Sequence, residues 1–230
     1  MRNKHHFNIF AAGLLAGLGA AVGLSIRRQL DTLRIWETAL AQNHGPARAK
    51  TLITAVRQQR ALLNVITYMP ENPVLKNHLT RHILPGLALY RVLLQEHDGN
   101  REAALAEVDE AFCAQMTAKA NLMSVPLRLW PEPFALFRRS LKKVMNQYPA
   151  DGWDFIYEEN SAERVAFSTT RCFYYDVLTA LNAPELTPLF CRMDDVMAEA
   201  FPPNIRFIRP HTLGRGDRLC DFEYCRAKDM

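Results

Sequence analysis

The sequence lacks the signs of several protein classes. Only 10 glycines and 13 prolines occur among 230 residues, which excludes collagen-like and low-complexity chains. Five unevenly spaced cysteines do not form the framework of a disulfide-rich secreted domain. Basic residues exceed acidic residues by only four, and no basic run is longer than two residues, so we expect no nucleic-acid partner. What is present is an ordinary globular composition with 49% hydrophobic residues.

Charge is also absent from one long segment near the N-terminus. Residues 7–26 are 20 consecutive uncharged residues with basic residues on both sides. A helix of about 20 apolar residues is long enough to cross the ~30 Å hydrocarbon layer of a bilayer. We therefore predict a membrane anchor over residues 1–26, with a cleaved secretory signal as the alternative. The glycines of this span recur at G-x-x-x-G spacing, which favours a homo-oligomer formed through that face.

The orientation of this predicted single-pass anchor is encoded weakly. Three arginines follow the span closely, whereas only two basic residues precede it, so the positive-inside rule places the body of the protein in the cytoplasm. The odd number of cysteines is also more typical of a reducing compartment.

Helical patterns fill residues 27–148, and an alternating pattern begins after Pro149. We predict a helix break at Asn43–Pro46 and a kink or break at Pro85–Gly86. The second half of the chain reads, in order, as a strand pair near 153–157 and 165–167, helices at Phe173–Leu181 and Pro188–Phe201, and strands at Ile205–Arg209 and Leu219–Arg226. The predicted fold class is α+β, with an N-terminal transmembrane helix, a helical region and then a small antiparallel sheet with two helices.

The second of the late helices carries the first candidate site. Thr187 is its predicted N-cap, followed by proline at the first helical position. Cys191 and Asp195 lie four residues apart and Asp194 lies on their flank, so a thiol and two carboxylates share the face opposite the apolar stripe. Such a patch can supply a nucleophile, a base or half of a metal site. The alternative is a pair of solvated aspartates beside a small filler residue.

The last strand and the loop before it carry the second set of candidates. Alternation predicts that Cys220 points into the packed side of the sheet and Cys225 points outward. Glycines flank Arg215 in the preceding loop, which could hold an anion. His78 and His82 are spaced for one metal ion, but no glutamate completes the metalloprotease pattern, so two unrelated histidines are favoured.

Four motifs in the last two thirds of the chain belong together. They are Pro85–Tyr90, Thr170–Cys172, Ala183–Asp195 and Arg215–Phe222. In combination they resemble the L-2-amino-thiazoline-4-carboxylic acid hydrolase family over roughly residues 74–226. The resemblance implies a hydrolase-like α+β domain at 74–230, with residues 27–73 as a helical linker region after the anchor.

The resemblance also implies a reaction on a small-molecule substrate. Water adds to the amidine-like C2 carbon of a thiazoline ring, and the ring thiolate leaves. The family motifs then imply roles for individual residues: Asp194 or Asp195 as the base, Cys191 as nucleophile or acid, Arg171 or Arg215 as the clamp for the substrate carboxylate, and Cys172 and Cys220 as supporting residues. A metal-free site is preferred to zinc held by three cysteines and an aspartate, and the cofactor requirement stays unknown.

A more distant likeness supplies a competing hypothesis. The pattern from Gly216 to Phe222 resembles the closing segment of vinyl reductase-like small-ligand-binding domains, whose members are sensors or binding modules more than catalysts. In that interpretation the same residues shape a ligand pocket, and the membrane helix tethers a non-catalytic module.

Overall fold

Helices make up the first part of the fold. The computed structural model describes residues 31–227. Up to residue 145 its elements are α1 (Thr32–Ile66), α2 (Pro73–His78), a π-helical turn (Leu79–Ile83), α3 (Leu84–Glu96), α4 (Arg101–Met123), α5 (Val125–Leu129) and α6 (Pro133–Met145). The predicted membrane span at 7–26 lies outside the described residues. Within 31–227, no helix is both long and apolar enough to cross a bilayer.

The two predicted helix breaks have different outcomes. At the first, α1 is interrupted by Gly45, whose φ of 76° and ψ of 160° are not helical. At the second, the chain stays helical, because a π-turn precedes Pro85 and Leu84 N–H bonds to Leu79 O, five residues back. A widened turn of this kind accommodates a proline that would otherwise clash with the preceding turn.

The second part of the fold is a four-stranded antiparallel sheet with two helices. Its strands are β1 (Trp153–Asn160), β2 (Arg164–Cys172), β3 (Ile205–Ile208) and β4 (Cys220–Arg226), in the order β1-β2-β4-β3. Helices α7 (Phe173–Ala180) and α8 (Thr187–Glu199) connect β2 to β3. The predicted α+β class with a small antiparallel sheet is confirmed.

One detail of α8 differs from the prediction. Thr187 does not cap the helix, because a 3-10 turn at Pro184–Leu186 leads directly into it. The Thr187 hydroxyl is buried and has no hydrogen-bond partner. A cap read from sequence assumes an extended residue before the helix, and the preceding turn removes that condition.

Two hydrophobic clusters hold these elements together. The larger cluster joins α1, α3 and α4 to α7 and α8. Trp36 and Ile53 of α1 are buried in it, so the core extends across residue 73 into the region expected to be a helical linker. The smaller cluster packs Phe134 and Phe137 of α6 against the sheet. Helix α8 therefore lies where the helical part and the sheet meet.

Gly86 sets the closest approach in the larger cluster. A Cβ atom at this position would lie 2.7 Å from Cζ of both Phe112 and Phe190. The two phenylalanine rings, from α4 and α8, lie 4.9 Å apart at their centroids. The missing side chain of Gly86 thus lets α3, α4 and α8 meet around two aromatic rings.

Candidate functional site

Arg209 is the centre of the candidate site. It follows β3 directly, and its side chain is 2% exposed. Its Nη1 donates to Asp194 Oδ2 at 2.7 Å, and its Nη2 donates to both oxygens of Asp195 at 2.9 Å and to the Cys191 carbonyl at 2.8 Å. The guanidinium also lies 5.5 Å above the Phe207 ring. Arg209 therefore joins all three residues that sequence reasoning selected on α8.

The two aspartates have different environments. Asp195 gives both carboxylate oxygens to one guanidinium nitrogen, whereas Asp194 is held through a single oxygen. Burial raises the pKa of the Asp194 carboxyl to about 6, although the positive charge of Arg209 opposes this rise. Half of the Asp194 side-chain surface is nevertheless exposed. A carboxyl with a pKa near neutrality and one free oxygen is suited to proton transfer.

Three tyrosines lie near Asp194. Burial is the main reason that the pKa of Tyr148, Tyr174 and Tyr224 is raised, and the negative charge of Asp194 contributes in all three cases. The three tyrosines come from separate segments, and each keeps part of its surface exposed. We call the region between α8, the sheet and the start of α7, which these residues border, the candidate pocket.

Three thiols lie around the same space. Burial raises the pKa of Cys191 to about 12 and that of Cys220 to about 11, and each is raised further by another thiol of the group. Burial also raises the pKa of Cys172, but the backbone N–H groups of the first turn of α7 and the Trp153 side chain oppose the rise. All three side chains are therefore thiols at neutral pH. Cys220 is buried, as the strand alternation predicted.

The glycine-rich loop before β4 closes one end of the site. Asp217 accepts a hydrogen bond from Thr212 N–H at 2.8 Å, and the next amide, Leu213 N–H, points to Cys220 Sγ at 3.2 Å. Gly214 lies so close to α8 that a Cβ atom would be 3.1 Å from Cys191 Sγ. Several buried polar atoms here have no hydrogen-bond partner, namely Arg209 Nε, Thr187 Oγ1 and Thr212 Oγ1. Polar atoms of this kind usually bond to water or a ligand.

The two histidines at i,i+4 spacing have no free pair of ligand atoms. His78 Nε2 donates to the Gln147 carbonyl at 2.7 Å, so its Nδ1 accepts from the Tyr174 hydroxyl at 2.9 Å. Both nitrogens of His78 are therefore occupied, which agrees with the interpretation that no metal binds this pair. His78 instead orients Tyr174 in the pocket wall.

The arginines chosen from the sequence lie at the periphery. Arg171 is exposed and pairs with Asp176, whose carboxylate is 3.2 Å from Nε. Arg215 is exposed on the 3-10 turn beside Gly214, at the rim of the site. Sequence reasoning missed Arg209, although it directly follows strand β3, which runs antiparallel to the cysteine-bearing strand β4. It also missed the three tyrosines, because their proximity depends on tertiary packing.

The thiols do not form a ready metal site. Within residues 31–227, the group of ligand atoms that lies within 4.8 Å of one another is His44, His97 and Glu107, on α1, the end of α3 and α4 respectively. None of these belongs to the pocket described above.

A sequence model of the family described as L-2-amino-thiazoline-4-carboxylic acid hydrolase matches residues 76–224. The chain belongs to this family. The match covers the four motifs and every pocket residue named above, so the pocket lies within the thiazoline hydrolase family region.

The other comparisons add little. No curated protein matches the chain. The solved structures that are similar to the chain include two at low identity. One is the Fe(II) unliganded H-NOX protein from K. algicida, with 11% identity over 86% of this chain and 96% of that one and a TM-score of 0.38. The other is a mutant of that protein, with 12% identity over 78% and 96% and a TM-score of 0.33. TM-scores of this size support no conclusion about this member of the thiazoline hydrolase family.

Proposed function

We propose that this chain hydrolyses a small cyclic amidine of the 2-amino-thiazoline-4-carboxylate type, with Asp194 as the group that moves the proton. The family match supports the reaction class. The observation that carries the proposal is the Asp194 carboxyl, which keeps half of its side-chain surface exposed, lies near three tyrosines and has its pKa raised by burial to about 6.

The reaction needs a base first and an acid afterwards. Asp194 takes a proton from water as the water oxygen bonds to C2 of the ring. The C2=N3 bond becomes a single bond, and N3 takes the remaining proton of the new C2 hydroxyl as that oxygen becomes the carbonyl. The C2–S bond breaks, and the departing thiolate takes the first proton from Asp194, which leaves a carbamoyl-cysteine and the enzyme unchanged. A thiol has a pKa of about 8.5, so transfer from a carboxyl of pKa about 6 to the thiolate is downhill.

The other polar groups orient the ring and stabilise charge. The raised pKa values of Tyr148 and Tyr224 keep their hydroxyls protonated, so they can donate hydrogen bonds to the intermediate, whereas the Tyr174 hydroxyl already donates to His78. Arg209 holds Asp195 in place and sets the charge beside Asp194. Cys191 stays a candidate in this scheme, but as a thiol with a pKa of about 12 it is less suited to proton transfer than Asp194.

Thiol release tests the proposal directly. The substrate has no free thiol and the product has one, so a thiol reagent measures turnover by the purified full chain. We expect multiple turnovers, and Asp194→Asn should abolish them while near-ultraviolet circular dichroism stays native. If every thiazoline and related cyclic amidine is left intact by the native protein, the proposal is wrong.

The carboxylate clamp has a matched control within the chain. We assign the clamp to Arg215, because it lies at the rim beside Gly214 and Cys191. Arg215→Gln should raise KM with little change in kcat, as expected when binding of the unreacting part of a substrate is lost. Arg171→Gln, which removes an exposed arginine paired with Asp176, should leave KM unchanged.

A binding module is the second candidate. The observation that favours it is that Arg209 engages both aspartates, so neither is fully free before a ligand arrives. A module of this kind would bind thiazoline carboxylates saturably, as measured by calorimetry, without releasing thiol.

A further inference from the structure

We propose that His44, His97 and Glu107 form a structural site for a transition metal of the zinc class, which joins three helices of the helical part. His44 Nε2 lies 2.8 Å from Glu107 Oε2, and His97 Nε2 lies 3.3 Å from Glu107 Oε1. The three ligand atoms lie within 4.8 Å of one another. Ligands of a tetrahedral zinc ion are about 3.3 Å apart, given Zn–N distances of about 2.0–2.1 Å.

The backbone brings these residues together from distant positions. His44 directly precedes the non-helical Gly45 at the kink of α1. His97 caps the C-terminus of α3 and is followed by two residues with positive φ, Asp98 at 51° and Gly99 at 88°. Glu107 lies on α4. A bound ion would therefore fasten the kink of α1 to the turn between α3 and α4.

His44 Nε2 and Glu107 Oε2 are hydrogen-bonded to each other at 2.8 Å, but one polar atom of this cluster lacks a partner. His97 Nε2 is buried and has no hydrogen-bond partner, although a carboxylate oxygen is 3.3 Å away. The angle of the contact between His97 Nε2 and the carboxylate, and not its length, is unsuitable for a hydrogen bond. A metal ion placed between the imidazoles and the carboxylate would bond to all three atoms and would remove this unsatisfied group.

Neighbouring charges support an imidazole ligand at His44. Its second nitrogen, Nδ1, lies 3.9 Å from Glu96 Oε1. Arg48 holds Glu96 in turn, with Nε donating to Oε1 at 2.8 Å. Metal-binding histidines commonly have a carboxylate behind the ring that fixes its orientation.

The donor set indicates the kind of metal. Two imidazoles and one carboxylate suit zinc and its transition-metal neighbours, whereas calcium and magnesium prefer oxygen ligands.

The side chains of the proposed site are mostly but not fully buried, with 14% of His44, 24% of His97 and 12% of Glu107 exposed. This leaves a route for the ion and a fourth position for water. An ordinary ion pair between protonated histidine and glutamate is the competing interpretation.

Zinc binding by the purified full chain tests the site. After chelator treatment and dialysis, we expect calorimetry to show one equivalent of Zn²⁺ bound, with a rise in melting temperature, and Mg²⁺ to give neither. His97→Ala and Glu107→Gln should weaken binding more than ~100-fold, beyond the 10–100-fold typical of an outer-shell change. Glu96→Gln should fall within that smaller range.

Controls separate this site from the other candidate ligands. Glu110→Gln, on the same helix as Glu107, and Cys172→Ser, in the pocket, should both retain the zinc equivalent. X-ray absorption of the zinc-loaded native chain should show nitrogen and oxygen neighbours with imidazole scattering, a result that does not depend on any variant folding. Sulfur in the first shell, no zinc binding, or full binding by His97→Ala and Glu107→Gln would each overturn the proposal.

Discussion

At the scale of single residues, Arg209 makes the two neighbouring aspartates different. It bonds both oxygens of Asp195 but only one oxygen of Asp194. Adjacent residues of the same type therefore receive different chemical roles from one buried cation. Sequence spacing selected both aspartates but could not assign them different roles, because the difference depends on Arg209, 14 positions after Asp195 in the chain.

The difference predicts unequal effects of isosteric substitutions. Asp194→Asn should lower kcat/KM by ~10²–10⁴, the usual contribution of a positioned acid–base group. Asp195→Asn should retain more activity but unfold at lower denaturant concentration, because it weakens the anchoring of Arg209. Steady-state kinetics and denaturant unfolding of both variants measure this contrast. Equal losses of activity with equal stability would contradict the assignment.

The pH profile follows from the raised pKa of Asp194. A base must be deprotonated, so kcat/KM should rise with pH through about 6 and then level off. Arg209 lowers the pKa of Asp194 from what burial alone would produce. Arg209→Met should therefore move the midpoint to higher pH, whereas Arg209→Lys should move it less. An unchanged or lower midpoint in a natively folded Arg209→Met variant would exclude Asp194 as the base.

At the scale of elements, the sequence predicted which segments are helices or strands better than it predicted where a helix starts or is interrupted. Helical periodicity and strand alternation identified the late helices and strands, and burial of Cys220 confirmed the face of β4. The predictions failed at the interruption expected at Pro85 and at the helix start expected at Thr187. At Pro85, a π-turn keeps the chain helical through a residue that ordinarily interrupts a helix. At Thr187, a 3-10 turn precedes a residue that ordinarily starts one. In both places packing in the larger cluster outweighs local preference.

Gly86 provides an element-scale test. Replacing glycine by alanine inside a helix normally stabilises it by up to about 1 kcal/mol. At Gly86 the new methyl group would lie 2.7 Å from both Phe112 and Phe190, and overpacking costs about 1–3 kcal/mol. We expect Gly86→Ala to lower the free energy of unfolding, measured with denaturant. A variant as stable as the native chain would show that the two rings move apart freely.

At the scale of the whole molecule, the pocket could not be predicted because its wall comes from many segments. Family motifs identified Cys172, Cys191 and Cys220, whereas Tyr148 and Arg209 lie outside the four motifs. Their proximity arises only when α8 is placed between the helical part and the sheet. The fold class was accessible from pattern alone, but the contents of the pocket required the tertiary arrangement.

The predicted anchor at residues 1–26 would attach the whole chain to a membrane. We expect cell fractionation to give a full-length product that stays in the membrane after carbonate extraction, because residues 7–26 carry no charge. A variant lacking residues 1–26 should leave the membrane fraction and keep its hydrolytic activity. A soluble product shortened by about 23 residues would instead identify a cleaved signal.

The position of Trp153 has an optical consequence. Its ring packs edge-on against Tyr148 at 5.0 Å and His78 at 5.2 Å, beside the thiol of Cys172. The other two tryptophans have different surroundings, since Trp36 is buried in the larger cluster and Trp130 is 51% exposed. With both replaced by phenylalanine, the remaining indole emission comes from the pocket wall alone. The fold thus contains a single indole beside the candidate pocket, and we expect its emission to change when a ligand binds there.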